Sequence, residues 1–179
     1  MPSRDYTSLA KALHWTTAAL VLGMLGVGLW MTGLPLGFTK LYAYNWHKWV
    51  GLAVLVLTIG RLLWRWRHPP PPLPGTMVRW EAALAPLAHW TLLALLLAMP
   101  ISGWFMSSAA GVSVVWFGFL PLPDLVPRDA GLFEALKTTH YLLSRLLIVM
   151  LILHIAAVVH HDVVRRDGVF RRMWPFGGS

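Results

Sequence analysis

The sequence predicts an all-α fold, an integral membrane four-helix bundle with both termini on the cytoplasmic side. Three observations predict it. Asp, Glu, Lys and Arg are absent from residues 12–39 and again from residues 82–123, and apolar blocks of that length read as membrane-spanning helices. The basic residues gather at the ends of the apolar runs, and more of them lie on one side than on the other. Histidines recur inside the apolar runs at a helical spacing. Composition agrees, with 57% of the 179 residues hydrophobic and only 12% charged, outside the usual range for a soluble domain. The formal net charge of +8 sits beside the spans and forms no soluble patch, so membrane lipid rather than nucleic acid is the expected partner.

Taken in order, residues 1–179 read as one domain with spans at roughly 9–31, 44–66, 80–106 and 132–164. The first span follows a short polar start. Its apolar run is too long for a signal peptide, and no cleavage-like site follows, so it is expected to be retained. His14 opens it, and Gly28 lies fourteen residues on, on the same face. Residues 33–45, with Pro35 and Gly37, read as a loop. The second span carries His47 near its start, Gly51 one turn later and Arg61 fourteen residues past His47. The HPPPPLPG segment at residues 68–75 cannot be helix and reads as a stiff connector. The third span carries His89, with Pro100 near its far end, where a proline frees a carbonyl. Residues 107–131 form the longest loop, but it is apolar and aromatic, which predicts packing over a bundle end or along the membrane surface. The fourth span contains His140 and His154 and ends in a basic tail.

Charge sets the orientation. Arg4, Lys11, Arg61, Arg65, Arg67, Arg79, Arg165, Arg166, Arg171 and Arg172 lie on the side of the termini and the Pro-rich connector, against Lys40, Lys48, Arg128 and Lys137 on the other. The richer side is expected to be cytoplasmic, in a multi-pass protein of the bacterial inner membrane.

The fourth span organises the site. Fourteen helical residues fall about 40° short of four full turns, so His140 and His154 share one face at about 21 Å along the axis. The topology gives each of the other histidines a depth. His14 and His154 lie toward the cytoplasmic side, and His47 and His140 toward the outer side. Imidazoles facing one another at two depths are suited to axial ligation of haem iron in the core of the bundle. The chain has no cysteine, which excludes thiolate ligation, iron–sulfur clusters and covalent haem attachment. Gly28 and Gly51 would let a macrocycle pack closely, and Arg61 is a candidate partner for a propionate. A metal transporter would use histidines differently, clustered at one depth beside carboxylates, and no span interior has an Asp or Glu.

Five motifs make the chain resemble the bacterial cytochrome b561 family. They are LHW at residues 13–15, HKWVG at 47–51 with Arg61 fourteen residues after its histidine, the Pro-rich connector, His89 with MPISG at 99–103, and KTTH to LH over 137–154. The similarity runs from about residue 8 to residue 175. The family comprises four-helix di-haem membrane cytochromes, among them superoxide:ubiquinone oxidoreductases. The resemblance implies two non-covalent b haems, with His14, His47, His140 and His154 as their axial ligands.

The expected function is one-electron transfer between an outer-face, periplasmic redox partner and the quinone pool. By resemblance this is an oxidoreductase that oxidises superoxide and reduces ubiquinone. Two other readings are a cytochrome b relay subunit for a hydrogenase- or dehydrogenase-type complex or a periplasmic partner, and a haem-free metal-binding or structural membrane protein. His89 is a candidate contact for a propionate or a quinone. His160 and His161 read as interfacial, with a quinone-site role as the alternative. Arg145 stands inside the level of His140 and either snorkels outward or holds an anion. Lys40, Lys48, Arg128 and Lys137 read either as a collar attracting small anions or as ordinary interfacial anchors.

Overall fold

The computed structural model describes residues 5–75 and 77–175; Arg4, counted above for orientation, lies outside them. Four long helices carry the chain: α1 (Ser8–Thr32), α2 (Phe38–Arg67), α3 (Arg79–Ala109) and α4 (Ala130–Val159). Each is long and apolar enough to cross a membrane. The fourth continues through a π-helical turn, His160–Arg165, and a short α5 (Val169–Met173) follows. Thr7 Oγ1 caps α1 by accepting from Ala10 N at 3.2 Å, and Asp129 Oδ1 caps α4 by accepting from Leu132 N at 2.8 Å.

The helices hide little of their apolar surface from one another. In α4 the only buried residue is Leu147, while Leu142, Val149, Ile152 and Leu153 are exposed. A helix apolar on every side but buried on one belongs in lipid, which takes the place of a protein core. One small core draws on all four helices, with Val21, Val54, Leu92, Leu95, Leu96 and Leu147. Hydroxyls inside the bundle bond to their own helix, as Thr17 Oγ1 does to Leu13 O at 2.6 Å and Thr58 Oγ1 to Val54 O at 2.7 Å.

The backbone packs closely as α1 on α2, α2 on α3 and α3 on α4. Helix α4 does not close in the same way on α1 or α2, so the bundle is open along those faces. Both ends of the described chain meet at one end of the bundle. Tyr6 N donates to Arg172 O, Trp15 Nε1 to Met173 O at 2.8 Å, and Arg172 Nη1 to Pro72 O at 2.6 Å. This is called the termini end below.

At the opposite end, residues 110–129 fold over the bundle. A two-stranded antiparallel hairpin, β1 (Val115–Trp116) and β2 (Leu120–Pro121), turns through Phe117 and Gly118, both at positive φ. Trp49 Nε1 donates to Val115 O at 2.6 Å and Trp116 Nε1 donates to Trp49 O at 2.9 Å. Val114, 2% exposed, packs on Leu52 and Leu55 of α2. The loop thus lies on a bundle end, at the hairpin end.

The α1–α2 connection is shorter than residues 33–45. Helix α2 starts at Phe38, because nothing after Gly37 breaks a helix, and Lys40 Nζ reaches back to Leu34 O at 2.7 Å.

At the termini end Arg165 Nη2 donates to Glu81 Oε1 at 2.9 Å, joining the end of the fourth span to the start of α3. Arg165→Met is expected to lower the melting temperature of the detergent-solubilised protein, since it leaves the buried carboxylate without its guanidinium. Adding Glu81→Gln should restore part of that loss, whereas simply additive losses would show that the pair is not coupled.

Candidate functional site

Two pairs of half-buried histidines stand across the open faces of the bundle. His14 of α1 and His154 of α4 have ring centroids 6.5 Å apart with planes at 68°. His47 of α2 and His140 of α4 are 6.3 Å apart at 73°. The first pair lies toward the termini end and the second toward the hairpin end. Both span gaps where the backbones do not pack closely.

The hairpin-end pair borders an apolar cleft of about 740 Å³, counted out to its open mouth. Val21, Met24, Gly51, Leu96, Met99 and Leu147 line it with the two histidines. Two glycines make room for the rings themselves. A Cβ on Gly28 would meet His47 Cε1 at 3.1 Å, and one on Gly103 would meet His140 Cε1 at 3.3 Å. A Cβ on Gly51 would meet only Met24 Cε, at 3.9 Å. Gly28 therefore serves the ring of His47, and Gly51 faces the cleft.

The second ring nitrogens differ from site to site. His140 Nδ1 lies 2.8 Å from Ser102 Oγ, which itself donates to Met99 O at 2.8 Å. Arg61 Nη2 donates to His14 Nδ1 at 2.8 Å. His47 Nδ1 is buried without a hydrogen-bond partner. His89 is edge-on to His154 with centroids 5.8 Å apart.

These features fit an axially ligated porphyrin. Metal–nitrogen bonds of about 2 Å, with each ring centre about 1 Å further out, place two axial imidazoles about 6 Å apart between centroids. Both pairs meet that separation, and at the hairpin end the open apolar cleft adjoins the rings. His89 meets the distance but not the gap, because α3 and α4 pack closely. Among the described residues no three His, Cys, Asp or Glu side chains converge to hold a bare metal ion.

Other residues singled out in the sequence separate here. Arg145 is exposed and stacks its guanidinium over Tyr141 at 4.8 Å, so it snorkels along its own helix and holds nothing in the core. His161 Nδ1 donates to Asp167 Oδ2 at 2.6 Å, and His160 Nε2 lies 3.7 Å from Glu81 Oε1. Of the four basic residues at the hairpin end, Lys40 is tied to Leu34 O, Lys137 to Glu134 at 2.6 Å, and Arg128 packs against Gly111. Lys48 alone of these four lines the cleft. Sequence reasoning gave no role to Ser102 or Gly103, although both lie in the MPISG segment. Their signal was small residues one position apart on a helix that must let an imidazole approach.

Four apolar helices with paired imidazoles across an open interior define a membrane cytochrome of the b type. The sequence pattern of the family described as "Prokaryotic cytochrome b561" matches residues 5–176. The chain is 30% identical over 176 residues to "Cytochrome b561 homolog 2" of Escherichia coli (strain K12), covering 94% of this chain and 90% of that one. It is also 30% identical over 179 residues to "Probable superoxide oxidase CybB" of Yersinia pestis, covering 96% and 97%. "Cytochrome b561 homolog 1" of the same E. coli strain is 26% identical over 167 residues, covering 91% and 93%. The chain belongs to the prokaryotic cytochrome b561 family, and it is a multi-pass membrane protein of electron transfer that uses b-type haem.

Proposed function

We propose that this single-domain bundle holds two b haems, one ligated by His14 and His154 and the other by His47 and His140, and oxidises superoxide while reducing ubiquinone. Both termini then face the cytoplasm and the hairpin end faces the periplasm, across the bacterial inner membrane. The distribution of basic residues supports that orientation. The observation that carries the reading is the pair of imidazole pairs set along one face of α4, each across an open seam. The similarity to a probable superoxide oxidase supports the choice of donor.

When bound, haem supplies one-electron redox chemistry. Two superoxide anions each lose one electron to give dioxygen, and ubiquinone takes the two electrons with two protons to give ubiquinol. The chain's own residues bind, orient and steer. Lys48 sits in the wall of the cleft beside His47 and attracts a small anion toward it. Arg61, beside His14, is the residue for a propionate of the haem at the termini end. His89 flanks His154 and is the candidate for a quinone or second propionate contact.

The test is quinol formation from a ubiquinone analogue by the purified protein under a superoxide flux. Lys48→Glu is expected to lower the rate roughly tenfold and to weaken its decline with added salt. Quinone reduction that superoxide does not drive, and that needs a protein donor, would support the second reading, a relay subunit. The exposed aromatic tip of the hairpin, with Phe119 74% exposed, is what favours that reading.

A further inference from the structure

Helix α2 presents one apolar face along its whole length. Phe38, Tyr42, Trp46, Val56 and Leu63 are each between 52% and 83% exposed, and at 100° per residue they fall within an arc of about 100°. Lipid covers such a face. Trp46 and Trp66, both exposed, stand twenty residues apart near the two ends of the helix, about 30 Å by the rise per residue. A hydrocarbon core is about 30 Å thick, and tryptophans collect at its two boundaries. Trp46 therefore marks the boundary on the hairpin side.

The tip of the hairpin is fixed at that level. Phe117 packs against Trp46 with ring centroids 6.2 Å apart and against Trp49 at 5.5 Å. The bond from Trp49 Nε1 to Val115 O holds the strand beside them. Phe119 and Leu120, next along the turn, are both exposed, and residues 110–123 carry no Asp, Glu, Lys or Arg. The base of the loop differs, for there Ser113 Oγ donates to Asp124 Oδ2 at 2.9 Å. The loop is thus apolar where it leans on α2 and polar where it turns back toward α4.

Three surroundings compete for the tip. Water disfavours exposed aromatic rings. A soluble redox protein is steered to its site by charge, and the tip has none. Lipid already covers the face of α2 with which the tip is continuous. We propose that residues 117–120 are inserted in the lipid interface beside α2, as an anchor in the leaflet on the hairpin side. The anchor holds the first turns of α2, with His47 and Lys48, at a set depth. It also closes the tip to a soluble partner, which removes what favours the relay reading. None of this depends on which way the bundle is oriented or on what it binds.

The chain has no cysteine, so each single-cysteine variant takes a nitroxide spin label at one place. In phosphatidylcholine vesicles, electron paramagnetic resonance then measures collisions of the label with oxygen, which concentrates in lipid, and with a water-soluble nickel chelate. Val56→Cys, on the lipid face of α2, is the reference for lipid. Glu134→Cys, in the first turns of α4 with its side chain 62% exposed, is the reference for water. Phe119→Cys is expected to meet the chelate about fivefold less often than Glu134→Cys, with oxygen collisions within about twofold of Val56→Cys. Chelate collisions as frequent as in Glu134→Cys would overturn the proposal and leave the tip in water, open to a protein. Infrequent collisions with both reagents would overturn it as well, since protein atoms, of this chain or of a second copy, would then cover the tip. Should Phe119→Cys not accumulate, Leu120→Cys carries the same expectations.

Discussion

In His47→Ala, the purified protein is expected to keep about half of its b-type absorbance, with the other haem site intact. His140→Ala should do the same, because these two rings stand 6.3 Å apart and, under the proposed assignment, would hold one haem together. His14→Ala and His154→Ala should each remove the other half. The rings of that pair are 6.5 Å apart and lie toward the opposite end of α4. The decisive comparison is between doubles. His47→Ala with His140→Ala should lose no more haem than either single change, since both act on one site, whereas His47→Ala with His154→Ala should lose nearly all of it. Total loss from any single change would mean that the sites are not separable. Retention of two haems in either His47→Ala or His140→Ala would assign the iron to other residues.

A second large effect is expected from a residue with no side chain. Gly103→Val should abolish haem at the hairpin end while leaving the termini-end site loaded. Even the first carbon of the new side chain would stand 3.3 Å from His140 Cε1, and the two further methyl groups have to displace the ring or the helix. Overpacking of that kind costs about 1–3 kcal/mol in a packed interior, and a ligand ring moved by a fraction of an ångström no longer points at the metal. Gly28→Ala is the milder version, with its Cβ 3.1 Å from His47 Cε1. Gly60→Ala is the control, because a Cβ there meets nothing within 4 Å and alanine is the better helix residue. Haem content in Gly103→Val equal to that of the control would show that the seam has more slack than the contacts allow.

Helices α1 and α3 were legible because charge is absent over residues 12–39 and 82–123, and α2 and α4 because their apolar runs end in basic clusters, Arg61, Arg65 and Arg67 in one and Arg165, Arg166, Arg171 and Arg172 after the other. That signal comes from the solvent, and lipid imposes it on every span alike. A helical wheel also shows that His140 and His154 share a face of α4, since 3.6 residues per turn is a property of the backbone. Which rings stand opposite them followed from the depth that the topology gives His14 and His47, whereas how closely the helices approach there did not, since apolar surfaces that face lipid carry no periodic mark of their neighbours. Ser102 was silent for a related reason. A serine in a helix ordinarily bonds a carbonyl one turn back, as Ser102 does with Met99 O, and nothing in the sequence says that its oxygen is then offered to a ring on another helix. Arg145 could not be settled on a wheel, since the same 140° offset from His140 serves an outward guanidinium on Tyr141 or an inward one.

The hairpin ties distant parts of the chain to one another. Trp49 uses its indole N–H on Val115 and its backbone carbonyl on Trp116, while Phe117 at the turn packs against both Trp46 and Trp49. The part-buried bond from Trp116 is the costlier one to break, up to about 1 kcal/mol for a hydrogen bond of ordinary strength, so replacement on one side loosens the other. Residues 46–49 and 115–117 are therefore expected to change together, although more than sixty positions separate them. A loop exchanged between relatives to alter what docks on this face has to bring the first turns of α2 with it, His47 included.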